Sequence, residues 1–82
     1  MLSEKEKQLL DLFWNYRIDK NCMLAFMGLL KKHNAYDEML KWFSQNAKLL
    51  EVADGDEKFS IIAEKIKEIY DRKPISAYIK RK

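Results

Sequence analysis

The sequence is short of residues that bend and cross-link a chain. It has two glycines and one proline among 82 residues. All-β domains turn often and rely on these residues, so their scarcity points to helices. There is one cysteine, Cys22, and one histidine, His33. A lone cysteine excludes an internal disulfide. Structural zinc sites take several thiolate or imidazole ligands, so one of each predicts no metal centre. Long hydrophobic runs are also missing. Cys22 to Leu30 is nearly all apolar but only nine residues long, whereas a membrane-spanning helix needs about 20. The opening MLSEKEK is charged where a secretory leader would be apolar. No glycine-rich phosphate loop and no G-x-S-x-G elbow occurs. These absences predict a protein of the reducing cytoplasm, with no membrane segment, metal or cofactor.

The residues that are present suit a folded domain. Apolar residues make up 48% and charged residues 35%, a balance typical of globular rather than disordered chains. The length suggests one domain, which we place at 1–73, followed by a short basic tail at 74–82. The net charge of +3 is unevenly spread. Residues 1–20 sum to zero, 21–50 to +2, 51–73 to −2 and 74–82 to +3. Lys80, Arg81 and Lys82 supply the tail's charge. Such an end can touch phosphates or an acidic protein, but three cations in such a place are more often a solvated tail. The rest is close to neutral, a poor electrostatic footprint for nucleic acid.

Hydrophobic periodicity predicts an all-α bundle of four helices, roughly at 3–17, 22–33, 35–47 and 57–72. Ser3 and Glu6 form an S-x-x-E capping box at the first start. Asp19 or Asn21 suits the second, which is apolar on every side of a helical wheel and so predicted to be buried at the centre. Gly28 within it costs roughly 1 kcal/mol relative to alanine, which predicts close approach by another helix. Lys31, Lys32 and His33 suit the negative helix end, and Asn34 tolerates the left-handed conformation that often ends a helix. Asn34 can also cap the third helix. The expected core is Leu10, Phe13, Phe26, Met27, Leu30, Leu40, Phe43, Phe59, Ile62, Ile66 and Ile69.

The stretch 49–62 has two readings. Asp54-Gly55 between apolar runs is a hairpin cue. Against it, Phe59, Ile62, Ala63, Ile66, Ile69 and Tyr70 hold a helical period, which favours a helix from Glu57 onward with Asp56 as its cap. If the hairpin formed, the order of elements over residues 3–72 would resemble a winged-helix layout. That resemblance would make Ala35–Ala47 a recognition helix and Ala53–Asp56 a wing tip, and the protein a DNA-binding transcriptional regulator. The residues oppose it. The helix would begin Tyr36-Asp37-Glu38, where base-reading helices offer Arg, Lys, Asn or Gln, and the wing tip is acidic.

No candidate for catalysis survives inspection. Cys22 and His33 share a helix face but lie roughly 16 Å apart at the helical rise, too far for a nucleophile and its base. Asp54, Asp56 and Glu57 lack the alternating oxygen ligands of a calcium loop and are better read as a turn and helix cap. Glu64 and Glu68 stand among cations, as on a solvated helix face. We therefore expect no enzyme. The favoured reading is a non-catalytic regulator, inhibitor or accessory protein that binds a protein partner, which can be a second copy. Trp14, Tyr36, Trp42 and Tyr70 are its candidate contact residues, because aromatic side chains are enriched at interfaces.

Overall fold

The computed structural model of the protein describes residues 3–72. All the regular structure in that span is helical: α1 (Glu4–Asn15), α2 (Lys20–Lys32), α3 (Tyr36–Gln45), α4 (Ala47–Val52) and α5 (Gly55–Tyr70). The expected all-α class is therefore observed, with five helices where four were expected. The tail, with Lys80, Arg81 and Lys82, lies outside the described residues.

The extra helix comes from 49–62, and no hairpin forms there. Leu50 is fully buried and anchors α4 to the core. Asp54 then accepts a hydrogen bond from the Glu57 N–H at 2.9 Å, while Glu57 accepts one from the Asp54 N–H at 3.2 Å. This capping box makes Asp54 the N-cap and Gly55 the first residue of α5. The Asp-Gly pair that signals a hairpin is here the start of a helix, two residues ahead of the expected one. The wing required by the winged-helix layout is absent.

The other starts follow the same chemistry. Ser3 accepts from the Glu6 N–H at 3.2 Å and Glu6 from the Ser3 N–H at 2.8 Å, as the capping box predicts. Asp19 caps α2, accepting from the N–H groups of Asn21 and Cys22, so this helix also begins two residues early. Asn34 does not cap α3, whose N-cap is Ala35 without a side-chain bond. Asn34 is instead left-handed, with φ of 52°.

The first two helices end in the same way. After α1, Arg17 is left-handed (φ 61°), its N–H bonds to the Trp14 carbonyl, and the Ile18 N–H bonds back to Phe13. After α2, the Asn34 N–H bonds to Lys31 and the Ala35 N–H to Leu30. Both are Schellman turns. In each, the residue after the left-handed one and its carbonyl partner are buried: Ile18 with Phe13, and Ala35 with Leu30. The turns thus fold α1, α2 and α3 back on one another while adding to the core.

α2 has the central place expected of it, since it packs against α1, α3 and α5. It is not buried on all sides. Only Met23 and Leu30 are buried, Leu24 is 59% exposed, and Ala25 and Gly28 face outward. A Cβ at Gly28 would meet nothing within 4 Å, so the predicted close helix approach does not occur. Of the expected core, Phe13, Leu30, Phe43, Ile62, Ile66 and Ile69 are buried. Leu10, Phe26, Met27 and Leu40 pack half-buried against them. Phe59 is 41% exposed. It sits in the first turns of α5, where its ring leans on Phe26 at 6.4 Å and stays open to solvent on its other side. Leu9, Ile18, Met23, Ala35, Met39 and Leu50 complete the core.

Candidate functional site

A run of aromatic rings crosses the molecule. Phe59 stacks on Phe26, Phe26 meets Phe13 edge-on at 5.8 Å, and Phe13 meets Phe43 at 5.6 Å. Phe43 then contacts Tyr16, stacked at 5.7 Å, and Trp42, edge-on at 5.3 Å. Phe13 and Phe43 form its buried middle, and Phe59 is its most exposed member.

The four candidate aromatics do not form one patch. Trp14, 72% exposed, edges a hollow at the α1–α2 junction with Arg17, Ile18 and Lys20. Trp42 is half-buried between the Phe43 ring and a shallow depression lined by Asn46, Ile61 and Lys65. Tyr36 is half-buried too, and its hydroxyl donates to the Glu6 carboxylate at 2.9 Å. Burial, and then the hydrogen bond to Glu6, raises the Tyr36 pKa above its ordinary value. The Ser3 backbone N–H, and then Tyr36, lowers that of Glu6. Beside this pair Lys5 meets Asp37 at 2.7 Å. Together these contacts join the starts of α1 and α3.

Tyr70, 66% exposed, lines an apolar groove. α5 lies along α2, and between them runs an open groove of about 430 Å³. Its walls are Ala25, Phe26 and Leu29 from α2, and Ala63, Ile66, Lys67 and Tyr70 from α5. Lys67 is the one charged residue among them, and its ammonium bonds to Asp71 at 2.9 Å, which raises its pKa. Phe59 stands beside Ala63 in an adjoining hollow that Ser60, Glu64 and Lys67 also line. The i, i+3, i+4 spacing that signals a buried stripe gives the same residue pattern here, so periodicity alone does not identify the groove. The all-round apolar wheel of α2 is its trace in the sequence.

The opposite side of α5 is charged. Arg72 reaches Glu38 on α3 with both terminal guanidinium nitrogens and Glu68 at 2.6 Å. Lys65 donates to Glu38 at 2.8 Å. The Arg72 hydrogen bond is the main cause that lowers the Glu38 pKa to about 2, and Glu68 is lowered by the same partner. Both carboxylates hold Arg72 still more firmly charged. Glu68 thus sits in a network of ion pairs with Lys65 and Arg72. Cys22 and His33 stand at opposite ends of α2. Among the described residues no group of three His, Cys, Asp or Glu side chains could hold a metal ion, and no helix is long and apolar enough to cross a membrane. Compared with known proteins, the chain matches no family model, no curated protein and no solved structure.

Proposed function

We propose that this is a small non-catalytic protein that works by binding another protein, with self-association as one form of that binding, through the apolar face of α2 and α5. One observation carries the reading. Large apolar side chains left exposed, Phe59, Tyr70 and Leu24, stand on these two helices; Tyr70 lines a groove whose one charged wall residue is Lys67, and Phe59 stands in the adjoining hollow with Ala63, Glu64 and Lys67. A contiguous apolar surface of this kind is uncommon on a chain that acts alone. Gly28 adds support, since its cost to the helix has no offsetting contact among the described residues. Trp14 provides a second, separate anchor.

Sedimentation of the pure protein over a range of concentrations tests the reading, alone and with a generic DNA duplex at low salt. A concentration-dependent dimer indifferent to DNA, weakened by Tyr70→Ala or Phe59→Ala, is the expected result for self-association. If the protein stays monomeric, the binding surface is to be sought with a partner of different sequence. A salt-sensitive DNA complex would overturn the proposal, because phosphate contacts weaken steeply as salt rises.

A further inference from the structure

We infer, given the binding face proposed above, that its partner is a second copy of the chain, held antiparallel along α5 about a two-fold axis at Ala63. The surface of α5 carries the pattern. Asp56, Phe59, Ala63, Lys67 and Tyr70 lie within about 40° of one line along the helix at 3.6 residues per turn. All but Ala63 are exposed, and Ala63 is half-buried. Ala63 and Lys67 line both the α2–α5 groove and the hollow at Phe59, so the strip runs unbroken from Phe59 to Tyr70. Its centre is its smallest side chain. Four residues to either side of Ala63 stand Phe59 and Lys67, and seven to either side stand Asp56 and Tyr70.

A two-fold axis through Ala63, perpendicular to α5, lays each copy's strip on the other's in reverse. Ala63 meets Ala63, where the small side chains let the helices close to about 8 Å. Phe59 of each copy meets Lys67 of the other and enters the mouth of its groove beside Ile66. Lys67 keeps its bond to Asp71 at 2.9 Å, lays its stem on the ring and turns its remaining N–H groups to the ring face. The Tyr70 hydroxyl donates to the exposed Asp56 carboxylate of the other copy. Every unlike contact occurs twice, as an isologous interface requires.

Charge selects this arrangement. Parallel helices in register would set Lys67 against Lys67 and Asp56 against Asp56, and would align the two helix dipoles. An axis moved to Lys67 would again oppose the two lysines. An axis moved to Phe59 would leave Lys67 and Tyr70 beyond the start of the other copy's α5. The area suits a reversible dimer. The 16 residues of α5 cover about 24 Å, and two helices side by side are about 20 Å wide. That footprint of about 480 Å² per copy, about 1,000 Å² in all, lies at the weak end of specific interfaces.

Sedimentation of two charge variants tests the register. Lys67→Glu sets a carboxylate against Phe59 in its own dimer, and Phe59→Lys sets cation against cation. Each alone should dimerise about tenfold more weakly than the unaltered chain, having lost two cation–π contacts. Mixed in equal amounts, the two variants bring their new charges together and keep one Phe59–Lys67 contact. The mixture should recover the dimer to within about threefold, since an exposed ion pair is about as strong as the contact it replaces. Both positions are exposed, so neither change enters the core. Separately, Ala63→Cys in a Cys22→Ala background should oxidise to a linked dimer about tenfold faster than Lys41→Cys on α3, because a disulfide needs Cα atoms within about 7 Å. A mixture no stronger than its components, or Ala63→Cys no faster than Lys41→Cys, would overturn the inference. If the unaltered chain still dimerises in either case, the binding face stands and only its register is wrong. A chain that stays monomeric throughout also overturns the inference, and leaves the proposed function with a partner of different sequence.

Discussion

Arg17 and Asn34 offer a matched test of how the two Schellman turns are stabilised. Both are left-handed, at φ 61° and 52°, in the same hydrogen-bonded frame. For a residue with a Cβ, that conformation costs about 1–2 kcal/mol, and asparagine relieves part of this by local hydrogen bonding. Glycine removes the cost but loosens the unfolded chain, returning about 0.4–1 kcal/mol. Arg17→Gly should therefore stabilise the fold by about 0.5–1 kcal/mol, and Asn34→Gly by about 0.3 kcal/mol or less. For a domain of this size, the first corresponds to a rise in Tm of about 2–8 °C. Arg17→Ala is the control. It removes the guanidinium but keeps the Cβ, so it should give no gain. Urea titration with an unchanged slope reads all three. The reasoning fails if Arg17→Ala stabilises as much as Arg17→Gly, or if Asn34→Gly gains more than Arg17→Gly.

Three other outcomes rest on the packing and the ion pairs. Gly28→Ala should raise stability by about 1 kcal/mol, since the new methyl meets open space on an exposed helix face; a loss in thermal unfolding would mean that something does approach this backbone. Phe13→Ala removes a fully buried ring that touches Phe26 and Phe43, and should cost about 3–5 kcal/mol, a large part of the stability of a domain this small; hydrogen exchange of the α1 and α3 amides would show the core opening. Glu38 is lowered from 4.5 to about 2 when folded, so its contribution is complete above about pH 4.5 and is lost as the pH falls toward 2. The full shift would correspond to about 3 kcal/mol, and because the side chain is 37% exposed, screening reduces this to about 1 kcal/mol. Glu38→Gln should cost that amount in urea at pH 7 and almost nothing near pH 2; an equal cost at both values would assign the effect to packing.

The fold class was legible because scarce glycine and proline and a strong helical period agreed with each other. Local capping chemistry was legible where the pattern was complete, as at Ser3 and Glu6. It was misread where one dipeptide serves two structures. Asp54-Gly55 reads equally well as a hairpin turn and as an N-cap with its first helical residue. Only the reciprocal bond to Glu57 separates the two, and the box pattern D-x-x-E was there to be weighed. Arg17 gave no signal at all, since nothing in an arginine announces a left-handed backbone. The Glu38–Arg72 pair spans 34 residues, and no local pattern carries that information.

The groove between α2 and α5 was hidden in the sequence for a different reason. An apolar residue at helical spacing is read as core, and from Cys22 to Leu30 α2 carries apolar residues on every side of its wheel. Yet an 82-residue chain buries only about 60–65% of its unfolded surface, so it cannot cover such a helix on all sides. The surplus must lie outside, and the structure puts it at Leu24, Ala25 and Gly28 and along the groove shared with α5. The exposed aromatics obey the same logic. Tyr36 turns its hydroxyl to Glu6 and Trp42 its ring to Phe43, so contacts within the fold already engage both. Tyr70 and Trp14 have no comparable partner ring among the described residues and stay more than half exposed. A helix more apolar than its chain can cover is therefore better evidence for a binding face than the count of aromatic residues.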